Sequence, residues 1–471
     1  MRRSVLFAAL CAFSVPAYSQ EKSASIEKGQ GLFATYCVQC HGPNLEGGTA
    51  KGLIKDDWLF GRTRRAMRLN IAYGIESAGM PAWGHAIPRK DIEALIDFIN
   101  SKQGTPPVKS KPIPALLETE LYSLKIEKMA TNGLRTPWGI EFVDEHRALI
   151  SERPGGLRWL VDGKLDPQAI SGLPLSYEFG DGGMMDLALD PKYDENGWVY
   201  IGYSEPMGDP EKRETKAMTK LIRGKVDGFR WVEQETLFEV PESEYFSSIF
   251  RFGCRLFFDD QGYLYFSYGD RGHQEDAQNL SKPSGKVYRI WPDGSIPDDN
   301  PFVDVEGAYA GIYTYGNRNA QGIAQHPETG EIWMAEHGPM GGDELNVVRK
   351  GANYGWPLLS DGLDYDGTPV SPYKSLPGML DPVLNWTPSI AVCPIEFANS
   401  PLFPKWKNDL MVGALAFQEL RRLRIENGEV VSQEICLQGF GRVRDVKFGP
   451  DGALYVVLNQ PDLVLRLTPA Q

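Results

Sequence analysis

The chain has 471 residues, 42% hydrophobic and 24% charged, with 49 Lys and Arg against 62 Asp and Glu for a net charge of −13. That length allows more than one domain, and the composition is that of a globular protein. The acidic balance argues against binding to nucleic acid or an anionic membrane surface, while 50 glycines and 34 prolines point to turn-rich β structure.

Residues 1–19 read as a secretory signal. Arg2 and Arg3 give a positive start, "VLFAALCAFSV" is a short apolar run, and Ala17-Tyr18-Ser19 offers small residues for cleavage. The run is too short to span a bilayer comfortably, and no other approaches that length. The mature chain is therefore expected in the periplasm with no membrane span. Loss of Arg2 and Arg3 would take the net charge from −13 to −15.

Residues 20–103 read as a small helical domain. "ATYCVQCHGPN" places Cys37, Cys40 and His41 in the C-x-x-C-H spacing that attaches a haem covalently. A zinc site would need a second ligand pair of similar spacing, and none is present. Ile26, Leu32 and Phe33 recur at helical spacing before the motif; Ile92, Leu95, Ile96 and Ile99 do so after it. Two helices bracketing a haem resemble a class I cytochrome c. Met80, in the Gly- and Pro-flanked turn "ESAGMPAWG", is the expected second axial ligand; Met67 and His85 are the alternatives. The basic run Arg62, Arg64, Arg65, Arg68 reads as a solvated face or a docking patch for a later electron carrier. Residues 104–120, rich in Pro, Lys and Ser, read as a semi-extended linker.

From 121 to 471 a pattern recurs: a short apolar strand, a turn rich in Asp, Gly or Pro, then an alternating strand. The units begin near Gly139, Asp186, Arg255, Gly322, Pro394 and Asp445. Each is too small to bury its own apolar face, so about six of them predict an all-β six-bladed β-propeller following the all-α cytochrome c domain. Of the five cysteines left after signal cleavage, the three outside the haem motif, Cys254, Cys393 and Cys436, cannot all pair, and the sequence leaves any pairing open.

The stretch "YGNRNAQGIAQHPETGEIWMAEHGPMGGDELNVVRKGANYGWP" resembles the soluble quinoprotein sugar dehydrogenases. So do "RPGGLRWL", "DGGMMDLALDP", "GKVYRIWPDGSIPDDNPF" and "GRVRDVKFGPDGALYV", in order. The resemblance implies an aldose-oxidising propeller that binds pyrroloquinoline quinone (PQQ) and calcium. It implies PQQ contacts at Arg318, Asn319, His337, Arg442 and Arg444, since arginine forks suit a tricarboxylate. It also implies calcium at the carbonyls of Gly338 and Pro339, with Asp343, Glu344 and Tyr354 around a second calcium. Electrons would pass to the haem and on to a soluble cytochrome or respiratory chain.

The family's catalytic histidine opens a motif H-F-G-S-R-L; the matching segment is "RFGCRL", which puts Arg251 there. Arginine cannot serve as a general base. A family lysine that touches PQQ is replaced by Ala416. Asp181 and His337 are the candidate bases, with Arg251 available for an acidic sugar. The competing readings are a weakly active PQQ- or sugar-binding module and a calcium-dependent lactonase-type propeller.

Overall fold

The computed structural model describes residues 17–54, 64–75, 79–103, 112–364 and 368–470, with side chains from residue 22 on, Ala66 excepted. Residues 1–16 of the expected signal, Arg62, and linker residues 104–111 lie outside the described residues.

The front of the chain is helical: α1 Ala17–Tyr36, α2 Val38–His41, α3 Arg64–Tyr73 and α4 Arg89–Ser101. The apolar spacing of α4 puts Ile92, Leu95, Ile96 and Ile99 on one buried face. That face meets Phe33 of α1, whose ring lies 5.4 Å from Phe98. Each such side chain contributes about 1.5–3 kcal/mol on burial. The helices approach closely at Gly29, where an added Cβ would stand 2.0 Å from the Ala94 carbonyl oxygen. Of the Arg run, Arg64 and Arg65 are exposed. Arg64 pairs with Glu93 at 2.8 Å and Asp97 at 2.5 Å, and Arg68 pairs with Glu93, tying α3 to α4.

Six antiparallel sheets follow. Blades 1 to 5 are four-stranded and sequential, spanning 137–169, 184–238, 256–315, 320–386 and 392–438. Each innermost strand touches the next, and the last touches the first, so the sheets close into a ring. The six units read from the sequence open on, or immediately before, these inner strands, and the six-bladed propeller is the fold. Blade 6 joins strands 442–448, 454–459 and 463–469 to strand 123–129 from the other end of the domain. Leu124 pairs with Pro469 and Met129 with Val464. One boundary differs from expectation: Leu116–Glu118, assigned to the linker, is a fifth strand on this blade, pairing with Ser123–Lys125. Leu117 packs against the blade core, which the proline-rich composition around it obscured.

The inner strands all start at one rim, and the chain segments just ahead of them carry Asp181, Arg251, Arg318 and Asn319 to that rim. The helical domain sits on the same rim. Phe33, Val38 and Leu45 share one buried apolar cluster with Met340 and Ala416 of the propeller, flanked by Leu363, Ala391 and Phe417.

Candidate cofactor and active site

The haem motif lies where α1 gives way to α2. The His41 Nδ1 lies 2.8 Å from the Lys51 carbonyl oxygen. A carbonyl can only accept, so Nδ1 carries the hydrogen and Nε2 is left with its lone pair for iron. Burial lowers the His41 pKa, which keeps the ring neutral, as a ligand must be. Met80 lies in a turn whose backbone bonds back to Ile75 at 2.8 and 3.1 Å. It packs at the edge of the cluster that holds Cys37 and Trp83. Met67 is instead a core residue of α3, and His85 is exposed.

At the propeller rim the expected PQQ residues come together. Arg318 and Asn319 precede the inner strand of blade 4, His337 follows that blade's second strand, and Arg442 and Arg444 lie on the inner strand of blade 6. Burial, and then the charges of Arg318, Arg444 and Arg442, push the His337 imidazole down to about 3. Burial and Arg444 likewise lower Arg442 to about 10. So the positive groups crowd one cavity and strain against each other. Several buried nitrogens there have no hydrogen-bond partner: Nε of Arg318, Nε of Arg444 and Nε2 of His337. Leaving buried donors unmade is costly. A ligand rich in carboxylates and carbonyls would satisfy the two arginine Nε donors, so this donor set fits PQQ.

Arg153, which sequence reasoning missed, belongs to the same rim. Its Nη groups donate to the Gly180 and Glu178 carbonyls at 3.1 and 3.4 Å, its Nε is unpartnered, and burial with Arg444 lowers its pKa. The signal was its place in "ERPGG", at the turn after a blade's second strand. Cys393, read from the sequence only as a candidate for pairing, lies 3.7 Å from Arg444 Nη1 and 3.9 Å from Arg255 Nη2. Among the described residues, Cys254, Cys393 and Cys436 are all buried and none forms a disulfide.

Arg251 does not stand open to the cavity as a free charge. Its Nε donates to Asp270, a fully buried carboxylate that also accepts from Trp356 Nε1 at 2.8 Å and Gly272 N at 2.8 Å. Its backbone has φ 49°, in the left-handed region. That costly geometry is held by two groups. The Arg251 amide donates to Asp181 at 2.9 Å, and Arg271 donates to the Ser248 carbonyl at 2.8 Å and to that of Phe250. Asp181 is itself exposed at the rim, within the electrostatic reach of Arg442, Arg153 and Cys40.

The expected calcium residues divide. The Gly338 carbonyl accepts from Arg318 Nη1 at 2.6 Å on the cofactor side, and the Pro339 carbonyl from Gln39 Nε2 of the haem loop at 3.2 Å. Glu344 lines a small cleft of about 10 Å³ with Glu336, Gly338, Pro339 and Tyr354. Burial pushes Glu344 to about 8 and Glu336 to about 7, the signature of neighbouring carboxyls short of positive charge. These oxygens fit a hard cation. Asp343 is committed elsewhere: its two oxygens accept from Gly338 N at 2.9 Å, Ser389 Oγ at 2.6 Å and Val392 N at 2.9 Å. The Tyr354 hydroxyl donates to the Val347 carbonyl at 2.6 Å. Among the described residues no three His, Cys, Asp or Glu side chains converge, so backbone carbonyls would have to complete any such site.

The haem loop crosses this rim directly. Besides the Gln39–Pro339 bond, Gln418 Nε2 donates to Glu46 Oε1 at 2.8 Å. Ala416, 2% exposed, lies beneath the same domain. No helix among the described residues is long and apolar enough to cross a membrane.

Residues 134–466 match the family model described as Glucose / Sorbosone dehydrogenase, and residues 24–99 match Cytochrome C oxidase, cbb3-type, subunit III. The Aldose sugar dehydrogenase YliI of Escherichia coli (strain K12) is 37% identical over 364 residues, covering 76% of this chain and 94% of its own. Subunit FixP of the cbb3-type cytochrome c oxidase of Azorhizobium caulinodans is 36% identical over 90 residues, 17% of this chain and 30% of its own. Among solved structures, the soluble aldose sugar dehydrogenase from E. coli in the apo form superposes with a TM-score of 0.68 at 35% identity, over 74% of this chain and all of that one. The PQQ-bound aldose sugar dehydrogenase from Streptomyces coelicolor gives 0.60 at 25% identity, over 74% and 98%.

Proposed function

The chain belongs to the glucose/sorbosone dehydrogenase family and carries a cbb3-type cytochrome c domain, and from that premise we propose that it oxidises a neutral aldose and passes the electrons to its own haem. The carrying observation is the convergence of Arg318, Arg444 and His337, each with an unpartnered buried nitrogen, beneath the haem-attachment loop. Bound PQQ with calcium would supply the two-electron acceptor for the sugar's C1 hydroxyl.

The protein's own groups do the rest. Arg153, Arg318, Arg442 and Arg444 would hold the cofactor's carboxylates. Burial keeps His337 neutral, with a buried Nε2 that has no partner among the described residues. Asp181 would take the hydroxyl proton. It is exposed to substrate, and the Arg251 amide fixes it at 2.9 Å. Arg251 would act through Asp181 and Asp270 and not on a substrate carboxylate, because Asp270 meets its charge. That pairing favours neutral over acidic sugars. The Gly338 and Pro339 carbonyls, with Glu344, would hold calcium. Tethering the haem to the same chain makes electron transfer intramolecular, at high effective concentration. Haem attachment and the signal expected at residues 1–19 support a periplasmic location, with a soluble cytochrome or respiratory chain as the proposed acceptor downstream.

The test is haem reduction. Purified holoprotein is given PQQ and calcium, and the reduced-haem absorption is followed through a screen of neutral and acidic aldoses. Neutral aldoses should reduce the haem. A protein that binds PQQ yet never reduces its haem with any sugar is a binding module, and lactone hydrolysis without PQQ would make it a lactonase.

A further inference from the structure

We propose that Gln39 and the Gln418–Glu46 pair are positioning residues that latch the haem-attachment loop over the cofactor cavity, fixing the electron-transfer geometry. The proposal rests on the functional reading above.

Gln39 lies between Cys37 and Cys40, the two points of haem attachment. Whatever fixes Gln39 therefore fixes both thioether bonds and the porphyrin edge between them. Its amide donates to the Pro339 carbonyl at 3.2 Å, one residue beyond the Gly338 carbonyl that accepts Arg318 at 2.6 Å. One short stretch of propeller backbone is thus gripped from below by a cofactor-side arginine and from above by the haem loop.

The second contact stands on another blade. Gln418, in a turn between the strands of blade 5, donates to Glu46 Oε1 at 2.8 Å, while Glu46 Oε2 accepts from Asn44 N at 2.7 Å. A single contact would leave the domain free to rock; two on different blades remove that freedom. Each has an apolar neighbour under the cytochrome, Met340 beside Pro339 and Ala416 two residues before Gln418. Between them Gly48 comes so near that an added Cβ would lie 3.4 Å from Arg442 Nη1. The haem loop therefore meets the arginine rim itself.

The experiment uses the full-length holoprotein with PQQ and calcium, comparing Gln39→Leu, Gln418→Asn and the double variant. Asparagine is chosen because Gln418 has φ 53°, which Asn tolerates, while its shorter side chain cannot reach Glu46. Sugar-driven reduction of a soluble dye and of the haem are read on the same sample. Dye reduction should stay within about twofold, while haem reduction in the double variant falls roughly tenfold or more, as small misplacements do. Glu46→Gln, which keeps an acceptor oxygen, should behave as wild type. Before PQQ is added, hydrogen exchange should show protection lost together at residues 338–341 and 45–50. Parallel loss of dye and haem reduction, or unchanged haem reduction, overturns the proposal. If Gln39→Leu fails to take up haem, Gln418→Asn decides alone. If wild type reduces neither dye nor haem, the functional reading fails, and hydrogen exchange still decides the latch.

Discussion

Arg251 donates its Nε hydrogen to Asp270, a carboxylate with no exposed surface that also accepts the Trp356 indole at 2.8 Å. Removing one partner of a buried pair strands the other's charge. Asp270→Asn should therefore lower stability by about 3–5 kcal/mol. Urea unfolding of the haem-loaded protein measures it, and a midpoint unchanged from wild type would mean Arg251 finds another partner.

Asp181→Asn keeps the rim's shape but removes the proposed base. Haem reduction by sugar should fall by about 10²–10⁴ in kcat with PQQ binding retained. A PQQ titration followed by stopped-flow haem reduction separates the two. A loss below about tenfold would shift the base to another group.

Glu396 faces the propeller axis, where burial raises its carboxyl to about 7 against an ordinary 4.5; Lys447 opposes the shift and Glu141 adds to it. The folded state thus holds a proton that the unfolded chain releases. That contribution to stability is complete below about 4.5 and is lost as pH rises through about 7. Glu396→Gln lacks this loss, so its stability relative to wild type should rise across that window, by at most about 1.4 kcal/mol per pH unit. Denaturant titrations at several pH values test the sign.

Gly29→Ala should weaken the helical domain by about 1–3 kcal/mol, because the new methyl meets the Ala94 backbone, which cannot step aside as a side chain could. Haem-band loss on heating would precede propeller unfolding in this variant.

The haem motif and the propeller were legible because both are local. Cys37, Cys40 and His41 sit within five residues, and each blade announces itself by a strand, a turn and a second strand. The arginine rim was legible only through family resemblance, since Arg318 and Arg444 are 126 positions apart in the chain. Arg153 went unnoticed because one arginine after a turn is ordinary until its neighbours are known. Asp343 was assigned to calcium by that same resemblance. In three dimensions it accepts from Gly338, Ser389 and Val392, and Ser389 and Val392 are more than 40 residues away. The Gln39–Pro339 contact joins residues 300 apart and has no counterpart in any local pattern.

The ring closes only when strand 123–129 meets strand 463–469, from the other end of the domain. The wheel thus stays open until both strands are in place, whereas the porphyrin-binding module needs only the first quarter of the chain. Deleting the seven residues of the closing strand should therefore leave a haem-bearing head on an unclasped, protease-sensitive body.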